Sequence, residues 1–564
     1  MNIYILLLLF VSAKSLELAN LSITPYNIRG VNLGGWMVLE PWIKPSMFYQ
    51  FLGKKLPKEI AMDSYTFCSA LGSEEANKQL KEHWKTWITD DELIKLYDSG
   101  IDTLRLPVPD WIYTPYEPFI DCYDGALEEI DNLVNRVKKI GNLKILIDLH
   151  AVKGSQNGFD NSGISSKINW IHIGLNNEPT TFLHWSNREA NWFGKWSSED
   201  ETYTSVNYNN LNFTLNTLNV IAEKYKHEET VMGIEVLNEP WEKIPINDLH
   251  EFYLEAYDII RNVREDYFVL FHDSFRLDLK HWKTFAYKLQ KYDNLKIAID
   301  THIYQAWNQL MSVDELYGKV CGEKVKINEF KKLGLPVIVG EWSLATDNCA
   351  MWLNGFQDNL PGYPNVICGY QNCPNPNTEI IDGSQGPFGS GISTPISGMC
   401  PIGNLWDNNE EVMKLLALKS LNVFSKHGSG WFFWNFKVEL EDRWDYLQLL
   451  NKGWIGDVND MSNRIDTSYY KNLIENSCYS NFDYDNKIHE KNVLYLITTF
   501  MFIGVILGCF CRCRPYPHIE CKTKYYKSNN KLYTKATIWP NYKYRLNNSE
   551  GLPFKNVELH TINE

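Results

Sequence analysis

Eight short apolar runs, separated by stretches long enough for a helix, constrain the fold of this 564-residue chain more than any other feature. The runs are almost continuously apolar, as expected of strands covered on both faces, and the segments between them carry apolar residues with a helical period. They span residues 27–35, 101–108, 142–150, 231–239, 267–273, 296–304, 335–342 and 430–436. Strand and helix alternating eight times predict an α/β fold, a (β/α)8 TIM barrel of ordinary or enlarged size.

Charged, imidazole or aromatic side chains end seven of the eight predicted strands. In a barrel of this kind the active site lies where the strands end, so these side chains should converge on one mouth. They are Arg105, His150, Asn238 and Glu239, His272 and Asp273, His302 and Tyr304, Glu341, and Trp434. One such residue is more often a cap or a structural hydrogen bond, but seven occupied strand ends indicate a functional site.

Two of these residues, Glu239 and Glu341, end the fourth and seventh predicted strands, which face each other across a barrel mouth. Cleavage of a glycosidic bond needs two carboxylates across a cleft, one to protonate the leaving oxygen and one to attack the anomeric carbon or activate water. Glu178, in the similar segment GLNNEP, follows His150 with no helix between them. We therefore interpret Glu178 as part of a surface loop from about residue 161 to 206.

Five blocks of sequence, in order along the chain, resemble the fungal-type exo-1,3-beta-glucanases of glycoside hydrolase family 5. The blocks are RGVNLGGWMVLEPW, DLHAVKGSQNGFDNSG, GIEVLNEPW, THIYQAW and VGEWSLATDNCAMWLNG. The resemblance extends from about Ile28 to Cys478. It implies a glucan 1,3-beta-glucosidase that hydrolyses glucose from the non-reducing end of beta-1,3-glucan by double displacement, with no cofactor and no metal.

The resemblance also implies a role for each residue that matches a family motif. Glu239 is expected to be the acid/base, which needs a raised pKa, and Glu341 the nucleophile, which Arg105 keeps ionised. Asn238 is expected to bond the 2-hydroxyl of the sugar being cleaved. The other implied substrate-binding residues are Glu40 at the blocked end of the pocket, His150, His302 and Tyr304 in its polar lining, Trp434 as its floor, Phe159 and Trp307 as an entrance clamp, and Asn161 as a contact to sugar hydroxyls.

Departures from the family pattern leave the linkage and the mode of action open. The segments AVKG and LRLPVPDWIY replace more usual family sequences, and the long loops 161–206 and 356–405 could reshape the pocket for branched or 1,6-linked glucan. An endo-glucanase or a transglycosylase that remodels wall glucan is one alternative. A non-catalytic membrane glycan receptor is another alternative. Such a receptor is expected to have lost some of the catalytic residues, whereas all of them are present here.

Two apolar segments predict the compartment. Residues 1–15 have the apolar run and small-residue end of a signal peptide, and 492–511 is uncharged and long enough to span a bilayer. The tail 512–564 carries ten Lys or Arg and four Glu, which favours the cytosolic side. We expect a single-pass type I membrane protein with residues 16–488 as an extracellular catalytic domain. The net charge of −14 is spread along the chain and predicts no nucleic-acid partner; the oligomeric state stays open.

Eight cysteines precede the predicted span, and an even number in an oxidising compartment predicts disulfides. The family resemblance implies the pairs Cys349–Cys400 and Cys321–Cys478, which leaves Cys368–Cys373 and Cys68–Cys122 by elimination. Cys509, Cys511, Cys513 and Cys521 follow at the inner membrane edge or in the cytosol, as palmitoylated or unmodified thiols. Asn20 and Asn212 lie in lumenal glycosylation sequons.

Overall fold

A computed structural model describes residues 27–51, 57–59, 61–165, 169–171, 181–183, 190–307, 311–347, 350, 352–353, 409–456, 478, 526–528 and 531–533. The chain divides into two compact units, residues 1–488 and 489–564. In the second unit, the described residues form one antiparallel strand pair, Tyr526–Ser528 with Lys531–Tyr533.

Eight parallel strands of the first unit close into a barrel, which confirms the predicted barrel fold. The strands are β1 Ile28–Asn32, β2 Thr103–Pro109, β3 Lys144–Ala151, β4 Val231–Glu235, β5 Phe268–His272, β6 Ile297–His302, β7 Val337–Trp342 and β8 Gly430–Phe433. Each strand pairs with its neighbours in sequence, and β8 returns to β1. All eight predicted strands are present, although β4 ends at Glu235, short of Glu239.

Helices follow the strands and form the outer layer. Those of the described residues are α1 Ser64–Leu71, α2 Ser73–Trp87, α3 Asp90–Asp98, α4 Ala126–Ile140, α5 Tyr208–Tyr225, α6 Ile246–Val263, α7 Leu279–Leu289, α8 Val313–Lys332, α9 Glu410–Lys426 and α10 Tyr446–Lys452. Two antiparallel hairpins precede α5, Asn169–Ile171 with Thr181–Leu183 and Gly194–Ser197 with Thr202–Val206.

Helix α4 shows how the sequence specifies this outer layer. Its buried side chains recur every three or four residues, at Ile130, Leu133, Val134 and Val137. Burying each such side chain contributes about 1.5–3 kcal/mol. The helix ends at Gly141, whose φ of 103° is a conformation that favours glycine. One apolar stripe thus fixes which face of α4 covers the barrel.

The inside of the barrel changes from apolar to polar along the strands. A cluster of buried apolar side chains lies near the strand starts: Ile28, Leu146, Phe268, Leu270, Ala298, Ile338 and Phe432. Because alternate residues of a strand face the same side, residues two positions after a cluster member also face inward. These include Asp148, His272 and Asp300, all fully buried. The barrel wall itself therefore supplies a polar layer toward the strand ends.

Two disulfides cross-link the described residues, and both were expected. Cys68 in α1 pairs with Cys122, and Cys321 in α8 pairs with Cys478. Their Cα atoms lie 6.0 and 5.2 Å apart, within the usual range for a disulfide. The expected pairs Cys349–Cys400 and Cys368–Cys373 lie outside the described residues.

Several other predicted features also lie outside the described residues. They are the signal segment 1–15, the span 492–511, most of the tail 512–564, the loop 356–405, Glu178 and Asn20. Asn212 is described, and its side chain is exposed on α5. None of the helices within the described ranges combines the length and the apolar character of a membrane span.

We expect Gly340→Ala to destabilise the barrel, because a Cβ at this position would lie 2.1 Å from Asp300 Oδ1. The Asp300 carboxylate cannot retreat freely, since the same oxygen accepts from the Gly340 N–H at 2.7 Å. Overpacking of this kind typically lowers the free energy of unfolding by about 1–3 kcal/mol. The thermal unfolding midpoint should fall accordingly.

The matched control is Gly322→Ala in α8, where nothing lies within 4 Å of an added Cβ. Alanine inside a helix is favoured over glycine by roughly 0.5–1 kcal/mol, so this variant should unfold at the same temperature or higher. Equal losses in the two variants would contradict a specific collision at Gly340.

Candidate active site

A single buried guanidinium, that of Arg105 in β2, connects the ends of five strands. Its nitrogens donate to four side chains: Nε to Glu235 (2.7 Å), Nη1 to Asn32 (2.8 Å) and Glu341 (3.0 Å), and Nη2 to Asn238 (2.9 Å). Nη2 also forms an ion pair with Asp148 at 3.1 Å. Burial lowers the pKa of Arg105, but the surrounding carboxylates, Asp148 first, raise it well above its ordinary value. The guanidinium therefore stays charged inside the barrel.

His302, at the end of β6, lies between the two glutamates predicted to be catalytic. Its Nδ1 is 2.6 Å from Glu239 Oε1 and 3.3 Å from Glu341 Oε2, and its Nε2 is 3.2 Å from Asp300 Oδ2. Burial lowers the pKa of His302, but the neighbouring carboxylates, Glu341 first, raise it well above its ordinary value. The imidazole is therefore stabilised as an imidazolium.

The pKa values of the two glutamates shift in opposite directions. Burial is the largest effect on Glu239 and raises its pKa, but hydrogen bonds from His302 and Asn161 help to outweigh it, and the net shift is downward. Burial also raises the pKa of Glu341, and His302 and Arg105 only partly offset it. The expected raised pKa of Glu239 is therefore wrong, because the hydrogen bond and the charge of His302 favour the ionised form of the Glu239 carboxylate.

Two further hydrogen bonds orient the glutamate carboxylates. The Tyr304 hydroxyl donates to Glu341 Oε2 at 2.7 Å, and the Asn161 amide donates to Glu239 Oε2 at 2.9 Å. Tyr304 follows β6, and Asn161 lies in the short 3-10 turn Asp160–Ser162 after β3. Each glutamate is thus held by a side chain from another strand or loop.

The Trp434 indole lies over the end of β1 and packs beside His150. An added Cβ at Gly34 would be 2.7 Å from the indole, so only glycine permits this approach. Asn435 secures the contact, because its side chain accepts from the Gly34 N–H at 2.8 Å and donates to the Gly34 carbonyl at 2.9 Å. The His150 ring stacks on Trp434 with centroids 5.5 Å apart. Its Nε2 lies 3.4 Å from the Asn238 amide nitrogen.

These groups form the base of a mostly aromatic pocket. The pocket is lined by Glu40, Trp42, Phe159, Asp160, Asn161, Glu239, Phe275, Tyr304, Trp307, Glu341, Leu353, Trp434 and Trp444. Eight of the twelve predicted site residues are in this lining. The other four, Arg105, His150, Asn238 and His302, contact the two glutamates, Trp434 or one another. The structure therefore brings all twelve together.

Glu40 presents a buried carboxyl group to the pocket. Its Oε2 accepts from the Trp42 indole N–H at 3.0 Å, whereas its Oε1 has no hydrogen-bond partner among the described residues. Burial raises the pKa of Glu40 well above its ordinary value, and the nearby Asp160 raises it further. An unpaired buried oxygen of this kind is suited to a polar ligand such as a sugar hydroxyl.

The sequence-based prediction missed two groups of residues. Asp148, Glu235 and Asp300 surround Arg105 and His302 from inside the barrel. One signal could have identified them, a single charge at an inward-facing position of an apolar strand, as in ILIDLH, GIEVLN and IAIDTH. The second group lines the pocket from loops and comprises Trp42, Asp160, Phe275, Leu353 and Trp444.

One trio of side chains is close enough to be considered as a metal site. Ligand atoms of Glu239, His272 and His302 lie within 4.8 Å of one another. However, His272 Nδ1 accepts from the Ser274 backbone N–H at 2.9 Å, which places the ring proton on Nε2. A protonated nitrogen cannot bind a metal ion, so without His272 this trio offers at most two ligands, too few for a typical catalytic metal site.

Comparisons with known proteins agree with this geometry. The profile of the family Cellulase (glycosyl hydrolase family 5) matches residues 68–359. The chain is 30% identical to glucan 1,3-beta-glucosidase of Blumeria graminis over 443 residues, which cover 76% of this chain and 86% of that protein. It is also 30% identical to glucan 1,3-beta-glucosidase of Schwanniomyces occidentalis over 445 residues, with 76% and 86% covered.

Among solved structures, rutinosidase from Aspergillus niger shares the fold, with a TM-score of 0.52 at 18% identity and coverage of 76% of this chain and 98% of that one. The family profile spans more than half of the 564 residues, and the sequence relatives match over most of their own length. The chain belongs to glycoside hydrolase family 5, and it is a glycoside hydrolase.

Proposed function

We propose that this glycoside hydrolase is a retaining exo-beta-glucanase that removes glucose from the non-reducing end of beta-1,3-glucan. One observation carries the proposal: Glu239 and Glu341 approach the same His302 nitrogen at the base of a single pocket. The substrate class is taken from the two relatives named glucan 1,3-beta-glucosidase. The twelve site residues keep the roles that the family resemblance implies.

In this mechanism Glu239 is the acid/base and Glu341 is the nucleophile. Glu239 gives a proton to the glycosidic oxygen while Glu341 attacks the anomeric carbon, so that the leaving sugar departs and a glucosyl ester forms. Glu239, now ionised, takes a proton from a water molecule, which attacks the anomeric carbon and frees Glu341. Tyr304 and Arg105, at 2.7 and 3.0 Å, stabilise the Glu341 carboxylate before attack and after release.

The separation of the two carboxylates supports retention of configuration. Glu239 Oε1 and Glu341 Oε2 lie 2.6 and 3.3 Å from one His302 nitrogen. These oxygens can therefore be no more than about 6 Å apart. Retaining enzymes hold their carboxyl groups about 5–5.5 Å apart, whereas inverting enzymes need about 6.5–9.5 Å to admit a water molecule.

Exposure along the pocket supports attack at a chain end. Glu40 and Trp42 are 4% and 5% exposed on the inner wall, whereas Trp307 is 48% exposed at the outer rim. A terminal glucose would place hydroxyls against Glu40 Oε1, and Phe159 and Trp307 would receive the next sugar. An endo-acting enzyme would need a groove open at both ends instead.

The raised pKa of His302 supports a specific source for the acid proton. The imidazolium lies 2.6 Å from Glu239 Oε1, a hydrogen-bonding distance across which a proton can pass. The proton can pass from His302 to Glu239 before Glu239 gives it to the glycosidic oxygen, which leaves Glu239 ionised. The proton that Glu239 later takes from water can return to His302 by the same contact. Glu239 can therefore receive its proton from His302, whose pKa is raised, although the pKa of Glu239 itself is lowered.

We also propose that the enzyme is a type I membrane protein with its catalytic domain outside the cell. The support comes from the apolar segments 1–15 and 492–511 and from the basic tail 512–564. The two disulfides of the described residues fit an oxidising compartment.

NMR of laminarin hydrolysis tests the proposed reaction. Glucose should be the only early product, and it should appear as the beta anomer before mutarotation. Glu341→Ala should lower the rate by about 10⁴-fold or more, as loss of a nucleophile does elsewhere. Glu82→Ala, at an exposed position of α2, should leave the rate unchanged. Early alpha-glucose would exclude retention, and early oligosaccharides of mixed length would exclude exo action.

His302→Asn should move the alkaline limb of the kcat/KM profile to lower pH. The pKa of His302 is raised, so its proton is present below that pKa and is lost as the pH rises through it. Without His302, Glu239 must hold the proton itself as a carboxylic acid, which ionises at lower pH. At neutral pH, kcat/KM on laminarin should fall by about 10² or more, in line with the loss of general acid catalysis.

The control for this variant is His281→Asn in α7, where a half-buried histidine contacts the Asp278 carboxylate outside the pocket. Its pH profile should match that of the unchanged protein. An unshifted alkaline limb in His302→Asn would show that His302 does not hold the acid proton.

Deletion of residues 492–564 should release the enzyme from membranes. The full chain should sediment with membranes and resist carbonate extraction, and a protease added outside should reach the catalytic domain. The truncated chain should appear in the medium with its glucan hydrolase activity. A full chain that remains soluble after carbonate extraction would contradict the anchor.

A further inference from the structure

The backbone at Glu239 adopts an unusual conformation. Glu239 has φ of 41°, in the left-handed region that residues other than glycine rarely occupy. It also lies beyond the end of β4, and the last backbone bond to the neighbouring strand is the one that the Asn238 N–H donates to the Leu149 carbonyl at 3.0 Å. A residue in such a conformation persists only where the surrounding structure holds it there.

A buried amide holds one side of this turn. Gln156 is fully buried, and its Nε2 donates to the carbonyls of His150 at 2.7 Å and Asn238 at 3.0 Å. The Gln156 carbonyl accepts from the Trp241 N–H at 3.0 Å. Two carbonyl acceptors require the NH2 group of the amide at this place, so the side-chain orientation is determined. Gln156 therefore ties the end of β3 to the residues on both sides of Glu239.

A buried hydroxyl holds the other side. The Ser274 hydroxyl donates to the Pro240 carbonyl at 2.7 Å, and the Arg276 guanidinium donates to the same hydroxyl at 2.9 Å. Ser274 follows β5 and has φ of 54°, so this contact joins two left-handed turns. The carbonyl groups before and after Glu239 are thus each bound by one buried side chain.

We propose that Gln156 and Ser274 are positioning residues that hold the Glu239 turn so that its carboxylate reaches the glycosidic oxygen. The inference rests on the proposed role of Glu239 as the acid/base. Gln156 and Ser274 act through backbone carbonyls, whereas the Glu239 carboxylate itself contacts Asn161 and His302. Loss of the hydrogen bonds from either Gln156 or Ser274 should let the turn relax and move the Glu239 carboxylate.

The dependence on leaving group separates this role from a general structural one. Departure of a sugar alkoxide needs a proton from the acid, whereas 2,4-dinitrophenolate leaves without one. A displaced Glu239 should therefore impair hydrolysis of laminarin and spare that of 2,4-dinitrophenyl beta-glucoside. The parameter to compare is kcat/KM, because it reports the first displacement only.

We expect Gln156→Met, which keeps the length but removes both donors, to lower kcat/KM on laminarin by about 10- to 100-fold. On 2,4-dinitrophenyl beta-glucoside the change should be under about threefold, since no general acid is needed there. Ser274→Ala should show the same split, that is, a much larger loss of kcat/KM on laminarin than on 2,4-dinitrophenyl beta-glucoside. It provides the test if Gln156→Met does not fold. The full chain is used throughout, with folding verified by circular dichroism.

Gln79→Met is the matched control, because Gln79 is a buried amide in α2 that bonds Gln50 and Glu75. It should show no split between the two substrates. Equal losses on both substrates in Gln156→Met and Ser274→Ala would overturn the positioning role. Glu239→Ala is the reference, and a failure of that variant to show the split would instead overturn the proposed role of Glu239.

Discussion

The arrangement of the site depends on one positive charge enclosed by the barrel, the Arg105 guanidinium. Moving such an ion out of water costs several kcal/mol, which is recovered only when its donors are well paired. Here all three nitrogens donate to side chains at the ends of β1, β4 and β7, and Nη2 also forms an ion pair with Asp148 in β3. Since Glu341 and Asn238 share this cation, neither can shift without leaving a buried donor unpaired. The cation thereby sets the position of the proposed nucleophile relative to the rest of the site.

The apolar strands that form the barrel also bury the carboxylates that pair with Arg105. The eight apolar runs were sufficient to predict the strands, because strands covered by helices are apolar on both faces. Asp148, Glu235 and Asp300 escape prediction from the sequence because a single charge does not interrupt an apolar run. Only their inward direction and their contacts with Arg105 explain them. Charges inside apolar strands are therefore informative once the barrel is recognised.

The periodicity of apolar residues in the sequence predicts neither the pocket residues that come from loops nor the direction in which the pKa of each glutamate shifts. Phe275 and Trp444 line the pocket from loop and 3-10 segments whose path depends on tertiary contacts. The twelve predicted residues were accessible because motif blocks adjoin the strand ends. The lowered pKa of Glu239 depends on a 2.6 Å contact with His302, and no spacing along the chain encodes that distance. Motifs identify the groups, while contacts determine how the groups share protons.

The two glutamates differ in how the fold supports them, and this difference matches their proposed tasks. Glu341 lies within β7, where the ladder and Arg105 hold it rigidly, as a nucleophile that attacks one carbon requires. Glu239 lies on a left-handed turn held through its flanking carbonyls by Gln156 and Ser274. An acid/base must face the leaving oxygen in one step and a water molecule in the next. A turn restrained on both sides provides this geometry, since it keeps the carboxylate at the pocket without incorporating it into the sheet.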